Sequence, residues 1–210
     1  MAFAEGSWLK SRPGDTLAAP PLTLRRFHPD HAAALTAAII DSLTHLSPWM
    51  AWAVPPVTLE GQVLILRQAA GRFQAGTDFG FLMFSPDGEV VGASGLHARR
   101  GPGALEIGYW VRAGHTREGY ATTATGRLVE EAFKMPEVHR LEIRCDEANV
   151  ASAGVARRVG FELVRVEDRQ PRTSGETHRE LVWERARPPS GPCPRRTVAH
   201  QGDQGASGLR

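Results

Sequence analysis

Between Leu105 and Ala132 the chain passes from the two-residue period of a strand to the 3.6-residue period of a helix, across a short glycine-bearing turn. No other stretch limits the choice of fold so strongly. Leu105, Ile107, Tyr109 and Val111 alternate with Glu106, Gly108, Trp110 and Arg112, so one face of this strand is apolar. A glycine inside a strand marks a bulge or a close backbone approach, and a bulge at Gly108 would aim Glu106 into a cleft. In the helix over 119–133, Ala121, Ala124, Leu128 and Ala132, with Thr125 and Val129, form the inner face. A helix starting there turns unpaired N–H groups and the positive end of its dipole outward. That arrangement suits a phosphate or pyrophosphate, with Gly119 admitting the ligand and the small Ala121 leaving the first turn uncrowded. The loop is neither a Walker loop nor G-x-G-x-x-G, and on spacing alone an ordinary strand-to-helix connection is the alternative.

The rest of the core alternates in kind. Residues 22–27 read as a strand, and His28-Pro29-Asp30 opens a helix over 32–43 with Asp30 as its cap. Residues 45–52 hold a proline and two tryptophans and read as a loop. Thr58 starts a second helix, on which Val63, Leu66, Ala70 and Phe73 recur at helical spacing. Strands over 79–84 and 90–96 flank Ser85-Pro-Asp-Gly88, a hairpin turn signal. Leu141, Ile143 and Cys145 alternate in a further strand. A helix over 150–159 and strands over 161–166 and 178–184 complete the order β-α-α-β-β-β-α-β-α-β-β. This is an α/β chain, with a mixed sheet and helices on both faces.

Composition bounds the domain and its partners. Residues 1–21 are punctuated by Gly and Pro and read as an N-terminal extension, although Phe3, Trp8 and Leu9 could pin it to the surface. The domain then spans 22–186. Residues 187–210 are rich in Pro, Gly and polar residues without apolar period, and read as a disordered tail. The chain has 210 residues and a net charge of +2 from 25 basic and 23 acidic side chains, so no nucleic-acid or membrane partner is implied. No apolar run is long enough to span a bilayer and no export signal opens the chain, which points to the cytoplasm. Two cysteines, Cys145 and Cys193, exclude a disulfide framework and a Cys-rich zinc site, and His97, His115 and His139 lack metal-ligand spacing, so no metal is assigned.

Five fragments occur in a telling order: Glu106-Ile-Gly-Tyr-Trp-Val, Gly119-Tyr-Ala-Thr, His139-Arg-Leu-Glu-Ile-Arg-Cys-Asp146, Asn149-Val-Ala-Ser152 and Arg158-Val-Gly-Phe161. Together they closely resemble the GNAT superfamily of acyl-CoA-dependent N-acetyltransferases, and in particular its RimJ/RimL-type branch. The segment His45-Leu-Ser-Pro-Trp-Met-Ala-Trp52 also looks like that branch. The resemblance implies a mostly antiparallel twisted sheet in which the strands at 105–111 and 141–145 splay apart around acetyl-CoA. It implies that backbone amides of Arg117, Glu118, Gly119, Tyr120, Ala121 and Thr122 hold the pyrophosphate, and that the backbone at Trp110 and Val111 pairs with the pantetheine arm. Asn149 and Ser152 would contact that arm as well. Three positions depart from the family: Thr116 stands where Arg or Gln is usual, Arg117 stands at a frequent glycine, and Ala156 stands where many relatives carry a tyrosine acid.

Acetyl transfer to an amine needs a neutral nucleophile, a stabilised oxyanion and a leaving thiolate. Glu106 is the candidate base, its alternative being an exposed strand carboxylate. Ser152 is the candidate donor to the thiolate, or else a helix-start serine satisfying local backbone. A backbone N–H near Tyr109 or Trp110 would meet the oxyanion. Asn149 is also a good N-cap, and Cys145 reads as a small core residue. His45, Trp49 and Trp52, with Glu106, would build the acceptor pocket, unless the indoles simply close the core. The expected acceptor is a protein N-terminal α-amine, such as that of a ribosomal protein, whose pKa near 8 requires only a modest base. A small amine (antibiotic, polyamine or amino acid) and an idle acyl-CoA-binding module are the alternatives, and a homodimer is an expected assembly.

Overall fold

The computed structural model describes residues 8–189 and arranges eight strands in one sheet. In chain order the elements are β1 (Thr16–Ala19), β2 (Leu22–Arg26), α1 (Ala32–Ile40), α2 (Leu43–Leu46), α3 (Leu59–Ala75), β3 (Asp78–Phe84), β4 (Val90–His97) and β5 (Ala104–Val111). Then come α4 (Tyr120–Ala132), β6 (Arg140–Asp146), α5 (Val150–Arg158), β7 (Glu162–Asp168) and β8 (Arg179–Ala186). The strand order is β1-β2-β3-β4-β5-β6-β8-β7, antiparallel throughout except for the parallel pair β5–β6.

Local chemistry accounts for most of these elements. Thr58 Oγ1 accepts from Gly61 N–H at 3.1 Å and caps α3, which ends at Gly76 in the left-handed conformation (φ 71°). The hairpin between β3 and β4 closes through Gly88 N–H to Ser85 O at 3.0 Å, with Gly88 at φ 81°. The all-apolar run of β3 is buried on both faces. Phe79, Phe81 and Met83 pack with Leu105, Leu128 and Ile143 under α4 and α5, while Leu82 and Phe84 pack with Leu35, Ile39 and Leu66 under α1 and α3. Burying a side chain of this size stabilises by about 1.5–3 kcal/mol, and the two layers flank the sheet that carries the cleft.

Several expectations change. The segment read as an N-terminal extension supplies β1, paired in register from Thr16–Arg25 to Ala19–Leu22, and Leu9 and Leu17 are buried in the core. The domain also reaches Arg187, whose guanidinium donates to the carbonyls of Phe133 (2.6 Å), Met135 (2.5 Å) and Val138 (2.6 and 2.9 Å). Residues 190–210 of the expected tail, with Cys193, lie outside the described residues, as does Phe3. Asp30 does not cap α1. It sits in a 3-10 turn over Pro29–His31 and gives its N–H to His28 Nδ1 at 3.3 Å. The first helix stops at Ile40, and α2 takes part of the segment read as a loop. On α3 the buried stripe is Gln62, Leu66, Ala69 and Phe73, so Ala69 replaces Ala70. No bulge occurs at Gly108: β4 and β5 pair in unbroken register from Gly92–Val111 to His97–Glu106.

Candidate active site

Strands β5 and β6 are partners over three residue pairs only, Ala104–Arg140, Leu105–Leu141 and Glu106–Glu142. Beyond these they diverge: β5 continues along β4, and β6 along β8. The splay expected for the strands at 105–111 and 141–145 is therefore present. A cavity of about 520 Å³ opens at the divergence, bounded by Glu106, Ile107, Gly108 and Tyr109 of β5, by Ile143, Arg144, Cys145 and Asp146 of β6, and by Asn149 and Ser152 at the start of α5.

The side chains of β5 alternate across the sheet as the sequence pattern requires. Leu105, Ile107 and Tyr109 face the α4/α5 layer, whereas Trp110 packs in the α1/α3 layer. Tyr109 stands against α5: its hydroxyl lies 2.9 Å from Ser152 Oγ and 3.2 Å from Ser152 O. Burial pushes the phenol's pKa far up, so it stays a neutral hydroxyl. The sequence pattern put the Tyr109 side chain on the apolar strand face but gave a chemical role only to the backbone there, and the one signal for the hydroxyl was a polar tip on that face. Asn149 caps α5, accepting from Ser152 N–H at 3.0 Å, and this fixes the position of Ser152. Ala156 is fully buried in the core, and Cys145 is buried with its thiol pKa raised by that burial, as befits a core residue.

Glu106 reaches the cavity with both oxygens engaged. Arg99 and Arg100 bind one oxygen each. Burial pushes its carboxyl pKa up, but the hydrogen bond and charge of Arg99, followed by those of Arg100, outweigh this and hold it below the usual glutamate range. The other carboxylates of this wall are similarly occupied. Glu176 pairs with Arg169 at 2.7 Å and Glu180 with Arg144 at 2.9 Å, while Asp146 accepts from Ala148 and Thr177 N–H at 2.9 and 2.8 Å. These acids are sunk behind their arginines. Glu106 and Glu176 are 7% and 5% exposed, whereas Arg99 and Arg172 at the rim are 59% and 65% exposed.

Trp49 and Met50 form the opposite wall. They are tied to the connection between β7 and β8 by Gly175 N–H and Thr173 Oγ1, which donate to Pro48 O at 3.0 and 2.6 Å. A Cβ on Gly175 would lie 2.5 Å from that carbonyl, so glycine is required for this approach. Of the three expected acceptor-pocket residues in this segment, only Trp49 borders the cavity. His45 is exposed on α2, and Trp52 is exposed against Trp110, ring centroids 6.0 Å apart.

At the far end of β5 the chain turns through Arg117 (φ 69°) and Gly119 (φ 82°) into α4. The first helical bond there runs from Thr123 N–H to Gly119 O, and no side chain caps the helix. Its first N–H groups face outward, as an anion site requires. Arg117 occupies a left-handed conformation that glycine adopts freely, at a cost of about 1 kcal/mol. A group such as the pyrophosphate of an acyl-CoA fits this uncapped terminus and the open edge of β5. Among the described residues no cluster of three His, Cys, Asp or Glu could hold a metal ion, and no helix is long and apolar enough to cross a membrane.

The family model of the acetyltransferase (GNAT) domain matches residues 21–162, well over half of the chain. The chain belongs to the GNAT acetyltransferase family. It is an acyltransferase, and acetyl-CoA is its donor. The GNAT chain is 28% identical over 144 residues to the putative ribosomal N-acetyltransferase YdaF of Bacillus subtilis (strain 168), covering 67% of this chain and 77% of that protein. Among solved structures, it is similar to the ribosomal L7/L12 α-N-protein acetyltransferase RimL in complex with coenzyme A (TM-score 0.75, 22% identity, 81% of this chain and 97% of the other). RimJ of Mycobacterium smegmatis gives a TM-score of 0.74 at 23% identity, covering 84% and 90% of the two chains. The microcin C7 self-immunity acetyltransferase MccE, in complex with acetyl-CoA and AMP, gives 0.74 at 20% identity, covering 79% and 92%. These three likenesses establish the GNAT fold.

Proposed function

We propose that this acetyltransferase modifies a protein N-terminal α-amine, with a ribosomal protein as the acceptor class. The observation that carries the reading is the acceptor wall, in which each acid is already paired with an arginine or held by backbone N–H groups, while the exposed charges at the rim are guanidinium groups. A polyamine or aminoglycoside needs free carboxylates at this wall. A peptide terminus carries one cationic amine and needs none beyond the reacting site. The names of YdaF, a putative ribosomal N-acetyltransferase, and RimL, a ribosomal L7/L12 α-N-protein acetyltransferase, support the same class.

In this reading the outward N–H groups of residues 117–122 bind the pyrophosphate, and the unpartnered edge of β5 at Trp110 and Val111 pairs with the pantetheine arm. Asn149 uses its Oδ1 to cap α5, which leaves its amide N–H groups to donate to the same arm. Bound there, acetyl-CoA supplies the activated acyl carbon. Ser152 donates a hydrogen bond to the departing thiolate, and the neutral Tyr109 hydroxyl holds the Ser152 hydroxyl in place. Trp49 and the connection between β7 and β8 flank the entering amine. Glu106 belongs to the same site through the two arginines it fixes.

The test is mass spectrometry after incubation with isotopically labelled acetyl-CoA and two acceptor pools, unacetylated ribosomal proteins and a panel of small amines. Label on a protein N-terminus supports the proposal and names the substrate. Label confined to a small amine refutes the protein acceptor while retaining the site.

A further inference from the structure

Strand register aligns three ionisable side chains on one sheet face. Asp78 of β3 is the partner of His97 on β4, and His97 is the partner of Glu106 on β5. His97 Nδ1 lies 3.0 Å from Asp78 Oδ1, and Arg72 Nε lies 3.3 Å from Asp78 Oδ2. Burial pushes the Asp78 carboxyl up, while the hydrogen bond and charge of His97, and then Arg72, more than offset it. Asp78 is thus a carboxylate, able only to accept, so the proton between the two groups is carried by His97 Nδ1, and in the uncharged form of the ring the lone pair is on Nε2.

The position of Nε2 gives that lone pair a use. The next residue pair along the two strands on this face is Gly95–Gly108, which presents no side chain. The imidazole lies over this bare patch: a Cβ on Gly95 would be 3.4 Å from its Cε1, and a Cβ on Gly108 would be 3.0 Å from Nε2. Gly108 bounds the cavity and the imidazole lies against Gly108, so Nε2 stands directly behind the glycine wall, although His97 does not itself line the cavity. The described residues provide no hydrogen bond to Nε2. Glu106, two residues away on the same strand face, has both oxygens held by guanidinium groups and is a poor proton acceptor.

We propose that His97, oriented by Asp78, is the base that takes the acceptor amine's proton, and that Glu106 serves to anchor Arg99 and Arg100. This rests on the acetyl-transfer reading given above. As the C–N bond forms, the amine proton passes through a water to Nε2. The C–S bond breaks, the Ser152 hydroxyl donates a hydrogen bond to the departing thiolate, and the thiolate takes up the proton that Nε2 returns through solvent, so the products are the amide and free thiol. The charged groups facing His97 are Asp78 of β3, Arg72 of α3, Glu106 of β5, and Arg99 and Arg100 after β4.

Two measurements on the full chain test this. In the first, NMR of the protein labelled with ¹⁵N in its histidine rings should place the His97 proton on Nδ1, and the ring shifts should move when acetyl-CoA is added. A proton on Nε2, or a ring indifferent to acetyl-CoA, overturns the proposal without reference to any acceptor. In the second, kinetics with the acceptor labelled in the pool assay compare His97→Gln, Asp78→Asn and Glu106→Gln. His97→Gln should lower kcat by about 10²-fold or more and leave the KM for acetyl-CoA within about twofold. It should also abolish the imidazole limb of the pH–rate profile, and added imidazole should restore part of the rate to His97→Ala. Asp78→Asn should lower kcat while the fold is kept, and Glu106→Gln should retain the limb. Retention of rate and limb by His97→Gln, with loss of the limb in Glu106→Gln, would return the proton to Glu106. Absence of label in both acceptor pools is a failure of the acetyl-transfer reading, and the NMR outcome still decides the placement of the imidazole.

Discussion

Replacing Glu106 by glutamine tests whether the buried carboxylate is an anchor. Breaking a fully buried ion pair by removing one member costs about 3–5 kcal/mol, because a charge is stranded without solvent. The geometry here reduces that figure. Arg99 is more than half exposed, so water replaces its lost partner, and Arg100 retains Glu142, its Nε 3.7 Å from Oε2. The amide can accept one guanidinium bond, but its NH₂ meets the other guanidinium as donor against donor. A net loss of about 1–2 kcal/mol follows, and at a urea m-value of about 2 kcal/mol/M the midpoint shifts by about 0.5–1 M. Tryptophan fluorescence in urea titrations of the wild type and variant reads this directly. The pH dependence has a definite sign. The folded carboxyl's pKa is lowered, so its contribution is complete above the unfolded value near 4.3 and is lost as pH falls through the lower folded value. The stability gap between the two proteins should hold constant from pH 7 to about 5 and close on further acidification. No gap at pH 7, or a gap that widens as pH drops, would refute the clamp.

Four further substitutions test the remaining parts of the structure. Arg187→Ala strands the carbonyls of Phe133 and Val138 in the segment after α4, while Met135 O keeps Val138 N–H, and should cost about 2–3 kcal/mol in urea unfolding, an effect a tail residue would not produce. Gly119→Ala imposes a Cβ on a residue at φ 82°, for a loss of about 1 kcal/mol and a raised KM for acetyl-CoA measured by initial rates. Tyr109→Phe and Ser152→Ala should each lower kcat with little change in that KM, and the double variant should fall short of the product of the two effects, since the 2.9 Å contact couples them.

The sequence was legible wherever an element is specified by its near neighbours. The hairpin at Ser85–Gly88, the Thr58 cap and the Asn149 cap are each settled within about four residues, and all three occur. β1 escaped because a four-residue strand among prolines and glycines has no period to detect, and only its pairing with β2 makes it a strand. Arg187 escaped for a similar reason: its three carbonyls lie about fifty residues upstream. Within the site, Asn149 and Ser152 were legible from the helix start, but the tie from Tyr109 to Ser152 spans 43 residues and leaves no local trace.

Gly108 illustrates the limit most clearly. A glycine in a strand signals either a bulge or a close approach by another group, and one strand alone cannot distinguish them. The answer lies on the neighbouring strand, where register sets Gly95 opposite Gly108 and lays the His97 ring across both. The pairing is consistent along the two strands, each pair of residue numbers having the same sum, from Gly92–Val111 to His97–Glu106. A register drawn between the strands would therefore have placed His97 beside Glu106. In the sequence His97 stands only as a histidine without metal-ligand spacing, because β-structure assembles a site across strands, at positions that share a face and a row, and not within one motif.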